Sequence, residues 1–113
     1  MSARNDLISN AKEYFKNALF AQKRREYNTS VTLFFKTLSA LADLYLLEKE
    51  NQMPSSHSER FRILQNKYPE IYGFLDKDFP LYQQSYRSKL NAEVSKIFEN
   101  DCRKIFEIIN IRI

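Results

Sequence analysis

The stretch Tyr27–Glu50, YNTSVTLFFKTLSALADLYLLEKE, restricts the possible folds more than any other part of the chain. At helical spacing, Val31, Phe34, Phe35, Leu38, Leu41, Ala42 and Tyr45 fall on one broad face. Leu33, Ala40, Leu44 and Leu47 fill most of the flank, so the apolar surface is far wider than an ordinary amphipathic stripe. Thr32, Lys36, Ser39, Asp43 and Glu50 are left as a narrow polar strip. A helix wetted along one thin seam has to be covered on several sides. That makes it the central helix of a bundle.

The rest of the chain suits helical neighbours. One glycine and three prolines in 113 residues leave few helix stops, and 43% apolar content argues against disorder and turn-rich β architecture. The length fits a single domain with one core. A formal charge of +4 permits contact with nucleic acid or an acidic protein without demanding either. The single cysteine excludes an internal disulfide framework and suits a reducing compartment. No unbroken apolar run reaches the roughly 18 residues of a membrane span. The opening MSARNDLISN lacks the apolar core of a signal peptide. A soluble, cytoplasmic protein without membrane contact is expected.

In chain order, a first helix is expected from about Asn5 to Arg25, with Leu7, Ala11, Tyr14, Phe15 and Ala18 inward. Phe20 projects from its polar side, either as a lone exposed aromatic or as a partner contact. Lys23, Arg24 and Arg25 complement the C-terminal dipole, a reading preferred over a phosphate site. Asn28, Thr29 or Ser30 is expected to cap the central helix, which ends at Asn51 before Pro54. Ser56 and Glu59 have capping-box spacing, so a third helix opens at His57, carrying Phe61, Ile63 and Leu64 inward with Arg60, Arg62 and Lys67 more exposed. Pro69 starts a short segment bearing Ile71, Tyr72, Phe74 and Leu75. Asp78 and Pro80 then mark a new start for Leu81–Lys89. After a break near Leu90–Asn91, with Asn91 as cap, the last helix spans Ala92–Asn110. It places Val94, Ile97, Phe98, Cys102, Ile105, Ile108 and Ile109 on one face.

Most catalytic sets are missing. A single glycine precludes a glycine-rich phosphate loop, and one His with one Cys makes a zinc site a poor reading, so no metal and no cofactor are expected. Cys102, on the apolar face of the last helix, reads as inert packing rather than as the nucleophile of a pair with His57. His57 is the one side chain suited to proton transfer near neutrality, although a surface or capping-region histidine hydrogen-bonded locally is the preferred reading. Arg87 sits among Tyr82, Gln83, Gln84 and Tyr86, a set able to grip a phosphate and stack on a base. An ordinary surface or salt-bridged arginine is the competing reading. Asp101 falls inside the apolar stripe of the last helix. As a buried carboxylate it needs a partner, with Arg87, Lys36 or a tyrosine hydroxyl expected in a structural tie.

Four stretches, AKEYFKNALFAQKRREY, NTSVTLFFKTLSALADLYLLEK with its paired Phe34-Phe35, PSSHSERFRIL and LYQQSYRSKL, followed by an amphipathic helix, resemble the HEPN domains of prokaryotic toxin–antitoxin and defence systems. The resemblance covers nearly the whole chain and implies an all-α, antiparallel four-to-five-helix bundle. The family's ribonucleases carry an arginine followed, four to six residues later, by a histidine. Two such motifs meet across a dimer cleft and cleave RNA without metal. Arg87 matches the arginine. The residues that follow, Ser88 to Val94, contain no histidine. A non-catalytic, dimeric binding module for RNA, a nucleotide or a cognate nucleotidyltransferase is therefore the first expectation, with Arg87, Tyr82, Tyr86 and Lys89 as phosphate clamp and stacking surface. The alternatives are a metal-independent endoribonuclease using Arg87 with a displaced His57, and a structural adaptor contacting partners through Phe20 and the outer tyrosines.

Overall fold

A computed structural model describes residues 2–113 and, among them, shows five α-helices and no strand. They are α1 (Ala3–Lys23), α2 (Tyr27–Glu50), α3 (His57–Lys67), α4 (Pro69–Gln84) and α5 (Ala92–Ile108). α2 is the centre, packed by α1, α4 and α5, while α3 lies against α4. Phe15, Phe34, Phe35, Leu38, Leu41, Phe98 and Phe106 are fully buried between these helices, as the wide apolar face of α2 requires. By length and composition alone α2 is also apolar enough to cross a membrane, because its polar residues are too few to break the average. Most of it is buried by its neighbours, which is how a core helix satisfies the same composition.

The helix ends follow from local chemistry. Ser2 accepts from the Asn5 amide to start α1, two residues before the expected start. α1 closes with Glu26 N–H donating to Ala21 C=O (2.9 Å) and Arg25 N–H to Gln22 C=O (3.0 Å), which puts Arg25 in the left-handed region at φ 64°. Ser56 caps α3 through the Glu59 amide (3.1 Å), and Glu59 reaches back to the Ser55 amide (3.0 Å). Asn91 caps α5 through the Val94 amide (3.0 Å), so the break before Ala92 stands as expected.

Three expectations are corrected. The central helix has no side-chain cap: it begins at Tyr27, and Asn28 is spent elsewhere, as described below. No break occurs at Asp78–Pro80, since α4 runs unbroken from Pro69 through Pro80 to Gln84. An internal proline costs about 3 kcal/mol. Here helix continuation lets Phe79 and Tyr82 pack on Phe35, and Phe79 on Phe61, and that aromatic cluster outweighs the lost hydrogen bond. In the last helix Ile108 is 38% exposed, and Phe106 takes the buried position instead.

Candidate functional site

The polar seam of α2 is the floor of a groove of about 280 Å³. Lys36, Ser39 and Asp43 come from α2, Asn10 and Tyr14 from α1, His57 and Arg60 from α3, and Tyr82 from α4. Arg60 is not an outer residue: its side chain is largely buried, and its guanidinium grips Asp43 with Nε–Oδ1 at 2.6 Å and Nη2–Oδ2 at 3.0 Å. The remaining Nη1 donates to His57 Nδ1 at 2.7 Å. A guanidinium only donates, so Nδ1 must accept and the proton of the neutral ring sits on Nε2. Partial burial, then the charge of Arg60 and that of Lys36, push the His57 pKa down against the pull of Asp43. Lys36 is exposed, its ammonium 5.8 Å from the Tyr14 ring, and among the described residues it has no ion-pair partner. Ser39 Oγ is buried with no hydrogen-bond partner.

Tyr82 joins this groove to a second depression. Its ring stacks on Phe35 (centroids 4.5 Å apart, planes at 10°), and its hydroxyl meets the Tyr86 hydroxyl at 2.9 Å. That hydrogen bond, followed by burial, raises the Tyr82 pKa. Tyr86, edge-on to Tyr82, is 74% exposed and borders a depression of about 560 Å³ with Pro80, Gln83, Gln84, Arg87 and Ser88. Among the described residues Arg87 forms no ion pair, so its full charge faces solvent.

Asn28 holds the loop that presents these groups. Its amide nitrogen donates to the carbonyls of Ser85 (2.9 Å) and Ser88 (2.7 Å), and its amide oxygen accepts from Leu90 N–H (2.8 Å). Three backbone groups of a segment outside the helices thus find their partners in one side chain. No sequence signal could have shown this, because the bonded residues lie 57 to 62 positions apart. Lys89 sits apart from Arg87, beside Arg25, Asn28 and Thr29 in another shallow depression.

Asp101 is buried, as expected, but its partner is Lys77 (2.8 Å) rather than Arg87, Lys36 or a tyrosine. Continuation of α4 through Pro80 brings Lys77 and Asp78 against α5. Asp78 is wholly buried and finds no donor within hydrogen-bonding distance. Burial, then hydrogen bonding to Asp101 and its charge, push Asp78 up to about 9. Burial thus favours the protonated acid, the form in which Asp78 can donate to Asp101. Cys102 donates to Phe34 C=O (3.3 Å) inside the core, where burial pushes its pKa well up. It has no access to His57, whose Nδ1 is taken by Arg60. Phe20 projects from α1 at 53% exposure, outside both depressions.

Among the described residues no three His, Cys, Asp or Glu side chains converge as metal ligands. The arrangement offers an open tyrosine, two uncompensated cations and several hydrogen-bond donors, divided between two depressions that the Tyr82–Tyr86 hydroxyl contact links. Comparison with protein-family models, curated proteins and solved structures finds no match.

Proposed function

We propose that this protein is a non-catalytic helical module that binds single-stranded RNA or a nucleotide. The observation that carries the reading is the pairing of exposed Tyr86 with unpaired Arg87 on a loop clamped by Asn28. An open aromatic face stacks on any base, and a neighbouring guanidinium neutralises a phosphate. The held loop lowers the ordering cost of binding. The resemblance of the LYQQSYRSKL stretch to the HEPN segment that holds a functional arginine favours the same reading of Arg87. Dimerisation and a cytoplasmic setting belong to the same reading.

Proton chemistry supports binding over cleavage. Removing a proton from a 2′-hydroxyl needs a general base with a free lone pair within reach, and the groove's one carboxylate, Asp43, is held by Arg60. In His57 the Nδ1 lone pair is engaged by Arg60, and Nε2 carries the proton. Arg87 is always protonated and supplies charge only. The decisive experiment incubates labelled structured RNA with the protein in EDTA, beside Arg87→Ala and His57→Ala. The expected result is intact RNA, salt-dependent binding, and weaker binding in Arg87→Ala. Cleavage abolished by both substitutions would establish the endoribonuclease instead. Neither binding nor cleavage would leave a protein-binding adaptor.

A further inference from the structure

The groove on the α2 seam lies outside the surface formed by Tyr86 and Arg87. Asp43 and Arg60 neutralise one another, so Lys36 supplies the groove's uncompensated charge. Around it are a His57 Nε2–H that points away from the Arg60 tie, and the orphaned hydroxyl of Ser39. The unpartnered Ser39 hydroxyl is shielded from solvent, a costly state that a turn of its side chain toward an acceptor in the groove would relieve. Cation, N–H and O–H together are three kinds of donor around one small space. No unbalanced carboxylate opposes an incoming anion. The volume, about 280 Å³, suits a single small group rather than a length of strand. The Tyr82–Tyr86 hydroxyl contact links this groove to the depression beside Tyr86.

We propose that the groove is a terminal-phosphate pocket, in which Lys36, His57 and Ser39 bind the phosphomonoester at one end of a short nucleic-acid strand. The proposal rests on the reading of Tyr86 and Arg87 as a nucleotide-binding surface. A monoester presents three oxygens to the three donors, whereas an internal diester presents two. Arg60 is a positioning residue: it fixes the tautomer that makes His57 Nε2 a donor.

The test measures fluorescence anisotropy of labelled hexauridylates carrying a 5′-phosphate, a 3′-phosphate or no terminal phosphate, at fixed salt. A terminal phosphate at one end should tighten binding about tenfold in the unmodified protein, the scale of one charge-assisted set of hydrogen bonds. Lys36→Gln and His57→Ala should erase that gain, read in each protein as the ratio of its phosphorylated to its unphosphorylated affinity, and Ser39→Ala should reduce it. Equal affinity for all three strands would overturn the proposal while leaving strand binding itself intact. If no strand binds, the Tyr86–Arg87 reading fails, and the pocket is judged separately by titrating inorganic phosphate and following the His57 ring protons by NMR. A saturable shift lost in Lys36→Gln would retain the phosphate pocket without a strand. No shift would remove it.

Discussion

Replacing Asp78 with asparagine should stabilise the protein at neutral pH, although it removes a buried native side chain. Asp78 lies wholly inside the α4–α5 contact, with Asp101 as its neighbour and the Lys77 ammonium 3.9 Å from its Oδ1 but 2.8 Å from Asp101 Oδ2. Its pKa is about 9 in the folded chain against 3.8 for an ordinary aspartate. Between those values the folded state holds a proton that the unfolded chain has released. Stability from this group is therefore full below the unfolded pKa and declines as pH rises through the folded one. At pH 7 the folded chain has climbed about 3 units above the unfolded pKa, roughly 4 kcal/mol at 1.36 kcal/mol per unit. Asparagine imitates the protonated acid, since its Nδ2 can donate to Asp101, but its second N–H lacks a partner and takes back about 1–3 kcal/mol. A net gain of about 1–3 kcal/mol at pH 7 follows, growing toward pH 9 and turning into a net loss near pH 4, where holding the proton costs almost nothing. Urea unfolding followed by circular dichroism, at one-unit steps from pH 4 to 9, measures it for both proteins. Parallel stability profiles would refute the shared proton, because the difference between them must widen with pH if Asp78 holds one.

Asn28→Ala should destabilise the fold by about 1–3 kcal/mol, since two half-buried backbone groups and one exposed carbonyl lose their partners, and should weaken RNA binding without touching Tyr86 or Arg87 directly; urea unfolding and anisotropy check the two effects. Gly73 lies inside α4 with nothing within 4 Å of an added Cβ, so Gly73→Ala should gain about 0.5–1 kcal/mol in the same unfolding assay. Arg25 occupies a left-handed position at the end of α1, and Arg25→Gly should gain roughly 1 kcal/mol by removing the Cβ clash. The His57 ring should titrate below 6.5 by NMR with its neutral proton on Nε2. Arg60→Met should move that midpoint upward, because the Arg60 charge is removed while the pull of Asp43 remains. The depressed His57 value also means that its contribution to stability is present above about pH 6.5 and falls as pH drops through the folded value.

Hydrophobic periodicity alone determined that the chain is helical and that Tyr27–Glu50 is its centre, because a face as wide as that of Phe34, Phe35, Leu38 and Leu41 can be dried only by neighbours on several sides. The caps at Ser56 and Asn91 were legible for the same local reason: side chain and amide lie three residues apart. The polar strip Lys36, Ser39 and Asp43 was visible too, but as a wet edge. Tertiary structure turned it into the floor of a groove by laying Arg60 and His57 from α3 and Tyr82 from α4 across it. Pro80 reads locally as a helix start, and only the packing of Phe79 and Tyr82 on Phe35 shows why α4 continues. That continuation in turn decides the partner of Asp101, since it brings Lys77 and Asp78 to α5. Asn28 marks the same boundary. Its type suited a cap within its own helix, yet its three bonds go to a loop some sixty residues away, where unpaired backbone groups needed partners that local sequence could not supply.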